Sequence, residues 1–204
     1  ASATGGRLIR GRPEAPFREL ATDSRTVHAG QAFWALRGER FDAHQFLDDV
    51  LAGRSAGWII AQGRPAASGR LPAHILEVPD TLTALQNLAR AHRRRSRAKI
   101  AAITGSNGKT TTKEMLRAIC ARLGPTCATD GNFNNQLGLP LSLLELGPEH
   151  RFGIFEFGAS HPGDIRDLAA IAEPELGVLT NIGPAHLEFF GSLEATFAAK
   201  RELV

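Results

Sequence analysis

The chain has 204 residues, 43% of them apolar and 22% charged, with a formal net charge of +3. That balance suits one large or two modest globular domains with real cores and excludes a largely disordered chain. No apolar run reaches the roughly 20 residues of a membrane-spanning helix, and the first segment has no apolar signal-peptide core.

Strand and helix signals alternate along the chain. Residues 31–38 (QAFWALRG) read as a strand ending in a glycine turn, and 44–57 as a helix stopped by glycines. Residues 57–61 (GWIIA) and 74–78 (HILEV) read as short buried strands. A helix then starts at Pro79-Asp80, capped by Asp80, with Leu82, Leu85, Leu88 and Ala89 as its apolar stripe. It runs into the arginine-rich stretch 89–99. Cations favour the C-terminal end of a helix, and a polar stretch before a new strand suits a domain boundary. These arginines are therefore read as a helix end rather than a nucleic-acid surface.

The second half repeats the alternation. Residues 99–104 (KIAAIT) form a strand, 109–123 a helix, 137–146 a helix, 152–158 a strand, 163–174 a helix, 176–182 a buried strand, and 192–204 a helix capped by Ser192. Such alternation predicts a largely parallel sheet with helices on both faces. Ligands of such sheets bind beyond the carboxyl ends of the strands, where the glycine loop after 104, Glu156, Asn181 and His186 all stand. Phe152, Ile154 and Glu156 share one strand face, so an apolar row ends in a carboxylate. A carboxylate there is costly unless paired or metal-bound.

Two cysteines, Cys120 and Cys127, form no CxxC pair and have no histidine at zinc spacing. They read as small apolar fillers in a reducing compartment, the cytoplasm. Only four of the 24 basic residues are lysines: Lys99, Lys109, Lys113 and Lys200. In a chain that uses arginine almost by default, a lysine marks chemistry that a permanently charged guanidinium cannot do.

The segment 101–115, AAITGSNGKTTTKEM, ends like a phosphate loop but starts differently. Gly108-Lys109-Thr110 supply the end of G-x-x-x-x-G-K-[ST], whereas Ile103 stands where the first glycine belongs. Glycines let backbone N–H groups converge on one point, and the following helix adds its own N–H groups and positive end. Lys109 then reaches the outer phosphates and Thr110 the metal ion.

The short form T-G-[ST]-N-G-K-T-T resembles the Mur ligases and their folylpolyglutamate synthase relatives. Residues 21–46, 131–146, 155–165 and 180–202 are similar to further Mur ligase segments, in the family's order. Within the family the likeness is nearest to the ligase that joins D-alanyl-D-alanine to UDP-N-acetylmuramoyl-tripeptide.

The resemblance implies an α/β fold with two parts. A small mixed α/β domain, 1–97, binds the UDP-substrate. The front part of a mostly parallel P-loop sheet domain, 98–204, binds ATP and is cut short inside that domain, before a C-terminal domain. It also implies a peptidoglycan-precursor ligase that uses ATP and Mg²⁺, activates a carboxylate as an acyl phosphate and yields an amide. A cytoplasmic monomer with no nucleic-acid partner and no membrane span is expected, and little turnover from this chain alone.

The resemblance further assigns residues. Gly105, Ser106, Asn107, Gly108, Lys109, Thr110 and Thr111 hold ATP. Lys109, Glu156, His186 and Lys200 are catalytic. Thr110, Glu156, His186 and a CO₂-carbamylated Lys200 hold metal. Asp23, Ser24, Arg25, Asn132, Asn134 and Asn135 bind the substrate, with Asn181 joining them. His161 and Asp164 are read as supporting residues, and the segment from Arg37 to His44 as a weaker part of the UDP pocket. Other readings are another Mur ligase, a folylpolyglutamate synthase-like ligase, and a fragment that binds nucleotide or UDP-sugar without turnover. A P-loop GTPase is opposed by Ile103 and by the absence of an NKxD segment.

Overall fold

The computed structural model describes residues 1–203 except 15, 16, 18, 39, 40, 53, 54, 65–70 and 184–189; at 51 and 52 it describes the backbone only. The chain forms two compact units, Ala1–Asn87 and Leu88–Val204.

The first unit holds β1 (Arg7–Arg10), β2 (Leu20–Ala21), β3 (Ala32–Trp34), α1 (Leu47–Ala52), β4 (Gly57–Ala61) and β5 (His74–Val78). Its sheet has the order β1-β5-β4-β3-β2. β1 runs antiparallel to β5, and the other pairs are parallel. Phe33, Trp58, Ile60 and Ile75 fill its core with Leu47 and Val50 of α1. The two buried indoles keep their N–H groups satisfied: Trp34 donates to the Thr81 carbonyl at 2.8 Å and Trp58 to Ser55 Oγ at 3.0 Å. The strand read over 31–38 is only three residues long: it ends at Trp34, and Arg37 pairs separately with Asp42 in an isolated antiparallel bridge.

Helix α2 (Thr81–Arg93) starts where Asp80 accepts the Thr83 N–H at 2.7 Å. The division between the units falls inside it. From Ala89 onward the chain packs into the second core, which also takes in Ala98. The arginines at its end are more than solvated cations. Arg93, 7% exposed, donates to the carbonyls of Ala172 and Glu173 and pairs with Glu175; Arg90 and Arg94 both reach Glu173. This cluster ties the helix end to the turn before the last strand.

The second unit contains β6 (Lys99–Thr104), α3 (Lys109–Ala121), β7 (Thr126–Ala128), α4 (Gly138–Leu144), β8 (Phe152–Glu156), α5 (Asp164–Ala172), β9 (Leu176–Leu179) and α6 (Leu193–Lys200). The sheet order is β7-β8-β6-β9, all parallel. Alternation along β6 and β8 serves two cores. Ile100, Ala102 and Phe155 face Leu139, Leu143 and Leu168, while Ala101, Ile103 and Ile154 meet Leu116 of α3. The second face draws on only part of α3, whose Met115 and Ile119 are exposed, as is Leu123 just beyond its end. β9 corrects the expectation of a buried strand: Leu176 is 52% exposed, because among the described residues β9 is a sheet edge paired only with β6. Cys120 and Cys127 are free thiols, and burial pushes the Cys127 thiol up to about 11. No described helix is long and apolar enough to cross a membrane.

Candidate active site

Strand β6 delivers its chain to the glycine loop at the carboxyl end of the sheet. Gly105 has a φ of 149° and Gly108 a φ of 79°, values that residues with a Cβ rarely adopt. The loop is pinned to the chain that follows β9. Ser106 N–H donates to the Asn181 carbonyl at 3.0 Å, and Asn107 N–H to Asn181 Oδ1 at 2.9 Å. Ser106 Oγ donates to the Gly183 carbonyl and accepts the Gly183 N–H, each at 2.9 Å. Thr180 Oγ1 donates to the Asn107 carbonyl at 2.6 Å. Lys109, the first residue of α3, folds back so that Nζ donates to the Gly105 carbonyl at 3.0 Å.

Glu156 ends β8 beside this loop and is 3% exposed. Each carboxylate oxygen accepts one hydrogen bond: Oε2 from Thr110 Oγ1 at 2.8 Å, and Oε1 from Asn134 Nδ2 at 2.9 Å. Its backbone N–H donates to Thr129 Oγ1 at 3.0 Å. The apolar row of β8 therefore does end in a buried carboxylate, held by a loop hydroxyl and an amide.

A cavity of about 280 Å³ lies over this carboxylate. Its lining includes Lys109, Asn134, Glu156, Ser160, Asp164 and Lys200. Lys200 is 2% exposed, at the end of α6. Burial holds its ammonium below the usual lysine range, and the nearby Lys109 cation lowers it further. Asp164 starts α5, and its Oδ2 accepts the N–H groups of Ser160 and His161, both at 2.8 Å. Those bonds hold the chain that leaves the 158–160 wall. Two amines, two carboxylates and several amides thus converge where the sheet topology places ligands.

The sequence-predicted residues divide into those the cavity gathers and those it does not. Lys109, Glu156, Lys200, Asn134 and Asn135 line it. Gly105, Ser106, Asn107, Gly108 and Thr110 form the adjoining loop and helix start, with Thr111 exposed on the next position. Asn134 binds Glu156, and Asn135 Oδ1 accepts the N–H groups of Leu137 and Gly138 at the start of α4. Asn132 is exposed and is absent from the lining. Asp23, Ser24 and Arg25 belong to the first unit, where Arg25 pairs with Asp23 at 2.6 Å and its hydrogen bonds hold the Asp23 carboxyl down to about 2. His186 lies outside the described residues.

Three contributors escaped the sequence reading. Thr129 lies outside the family-like segments, and Gln136 and Ser160 lie within 131–146 and 155–165 without standing out there; only the fold brings them to Glu156 or the cavity. Asp164 had a signal, an acid at a helix start. Among the described residues, no group of three or more His, Cys, Asp or Glu is placed to hold a metal ion.

Known proteins support one family. Residues 103–204 match the Mur ligase middle domain. A Synechocystis protein named UDP-N-acetylmuramoyl-tripeptide–D-alanyl-D-alanine ligase is 43% identical over 190 residues, covering 92% of this chain and 41% of the relative. A crystal structure of MurF from Acinetobacter baumannii superposes with a TM-score of 0.93 at 42% identity, over 99% of this chain and 44% of that one. A MurF ligase from Thermotoga maritima in complex with ADP superposes with a TM-score of 0.81 at 37% identity, over 92% of this chain and 43% of that one. The chain spans about two fifths of the length of these relatives. With a phosphate loop of the short form and a family match over half its length, the chain belongs to the Mur ligase family.

Proposed function

We propose that this chain is the front part of an ATP-dependent ligase of peptidoglycan-precursor synthesis, one that joins D-alanyl-D-alanine to UDP-N-acetylmuramoyl-tripeptide. The observation that carries the reading is the Glu156 carboxylate, bonded to Thr110 of the phosphate loop and facing Lys109 and Lys200 across one cavity. The ADP complex of the Thermotoga relative supports a nucleotide at this loop.

A carboxylate is a poor electrophile, so the reaction runs in two steps. A carboxylate oxygen of the tripeptide attacks the γ-phosphorus of ATP, the bond to ADP breaks, and an acyl phosphate forms. The amine of D-alanyl-D-alanine then attacks the acyl carbon; phosphate departs with the C–O bond electrons, and the amine nitrogen loses a proton to give the amide. The protein's work is positioning and charge neutralisation. Lys109 leaves the Gly105 carbonyl for the transferring phosphoryl group. Lys200 supplies either a cation or, once carbamylated, an anionic oxygen.

The donors fit Mg²⁺. The Glu156 carboxylate and Thr110 hydroxyl are hard oxygens 2.8 Å apart, and Mg²⁺ characteristically takes one or two protein carboxylates with waters and phosphates completing its shell. When bound, Mg²⁺ supplies charge neutralisation at the phosphates. His186 joins by resemblance. Asp23, Ser24 and Arg25 are assigned to the UDP moiety, as is a cytoplasmic setting, which two free cysteines suit.

Phosphate release in a ligase of the relatives' full length tests the reading. It should require ATP, Mg²⁺, UDP-N-acetylmuramoyl-tripeptide and D-alanyl-D-alanine together, and Glu156→Gln should lower it by about 100-fold or more. This chain alone should release little phosphate. Turnover with folates and glutamate, or a preference for GTP, would overturn the reading.

A further inference from the structure

Lys113 has no part in the loop chemistry, yet at 2% exposure it is as buried as Lys200. It leaves α3 one turn after Thr110. Its Nζ donates to the Thr129 carbonyl at 2.7 Å and pairs with the Glu114 carboxylate at 3.0 Å. Thr129, also 2% exposed, sits just past β7. Its N–H donates to the Ile154 carbonyl at 3.0 Å, and its Oγ1 accepts the Glu156 N–H at 3.0 Å. A path of buried polar groups therefore runs from the phosphate-loop helix, through Thr129, to the residue that bears the carboxylate. That carboxylate in turn accepts from Thr110, on the same helix as Lys113, which closes a ring.

The ring explains why a cation stands here. Desolvating an ammonium is costly, and an apolar side chain in its place is often neutral or stabilising. Packing alone therefore favours a residue such as methionine. What calls for a donor is the Thr129 carbonyl, which hangs over the helix with its hydroxyl already committed to Glu156. We infer that Lys113 is a positioning residue: by holding Thr129 it fixes the Glu156 carboxylate against the Thr110 hydroxyl, and so sets the oxygen pair offered to a divalent cation. The inference rests on the ligase reading above, in which those two oxygens face Mg²⁺.

Two readouts test it in this chain. The first needs no ligand: in Lys113→Met the Glu156 amide exchanges its hydrogen about 10-fold faster, while amides in the middle of β6 keep their protection. The second is calorimetry of ADP binding with Mg²⁺ and with EDTA. Lys113→Met loses about 10-fold of the Mg²⁺-dependent gain in ADP affinity and keeps its affinity in EDTA. Lys113→Arg, which keeps a donor, recovers part of the gain. Thr129→Val, nearly isosteric, removes the acceptor of the Glu156 N–H and produces the same loss, so the inference stays testable if Lys113→Met fails to fold. The double variant is no worse than the poorer single one, because both act through one bond path. A Lys113→Met chain with full Mg²⁺ gain and a protected Glu156 amide would overturn the inference alone, as would an equal loss with and without Mg²⁺. A parent chain with no Mg²⁺-dependent ADP binding would overturn the ligase reading of this site and the inference together.

Discussion

Replacing Gly105 with alanine separates two demands that the phosphate loop makes on one residue. Its φ of 149° is a conformation that costs a residue with a Cβ about 1–3 kcal/mol. The added methyl would also sit well inside the contact distance of Thr180 Oγ1 and 3.2 Å from the Asn181 nitrogen. Thr180 has little room to yield, since its hydroxyl donates to the Asn107 carbonyl at 2.6 Å. Forcing it aside adds about 1–3 kcal/mol of overpacking and about 1 kcal/mol for the lost hydrogen bond. The total is about 3–7 kcal/mol, a large part of the roughly 5–15 kcal/mol that holds a domain together.

Gly108 supplies the internal control. Its φ is 79°, but a Cβ there meets nothing within 4 Å, so Gly108→Ala carries only the conformational cost, about 1–2 kcal/mol. Urea unfolding measures both. Gly105→Ala should lose at least twice as much stability as Gly108→Ala, and adding Thr180→Ala to Gly105→Ala should recover about 1 kcal/mol or more. Equal costs at the two glycines, or no recovery from the second substitution, would refute the assignment of the Gly105 penalty to Thr180.

Two further outcomes follow from ionisation. The folded Lys200 ammonium titrates below its ordinary 10.5, so its charge opposes folding at neutral pH, and that cost is relieved as pH rises toward 10.5. Lys200→Met should therefore stabilise the fold at pH 7 by about 1 kcal/mol, with the gain shrinking as pH rises toward 10.5 in thermal melts; a lower melting temperature at pH 7 would contradict this. Asp23 runs the other way. Its carboxyl is depressed from 3.8 to about 2 by Arg25, so its contribution is fully present above pH 3.8 and is lost as pH falls through about 2. A carbon-detected NMR titration should place Asp23 near 2 and return it toward 3.8 in Arg25→Ala; an ordinary value in the parent chain would remove the pair from solution.

Local pattern sufficed for much of this protein. The glycine loop between a strand and a helix needs only neighbouring residues to be recognised. The apolar row ending at Glu156 is a period of two, and the Asp80 and Ser192 caps are spacings of three. The element types at 57–61, 74–78, 99–104 and 152–158 were legible for the same reason: each is a short apolar run bounded by turn residues. Strands β1, β2 and β7 were not, because two to four residues carry too little periodicity, and their pairing partners supply the missing constraint. The exposure of β9 was equally hidden, since an apolar strand reads the same at a sheet's edge as at its centre.

Tertiary structure decided who holds whom. Asn134, which lines the cavity, also bonds Glu156; Thr129 and Lys113 had no visible role until β7, β8 and α3 came together; the arginines of α2 found Glu173 and Glu175 about 80 positions away. Such partners are chosen by burial. A polar group taken out of water must be met by whatever the fold brings within about 3 Å, and sequence spacing carries no record of that distance.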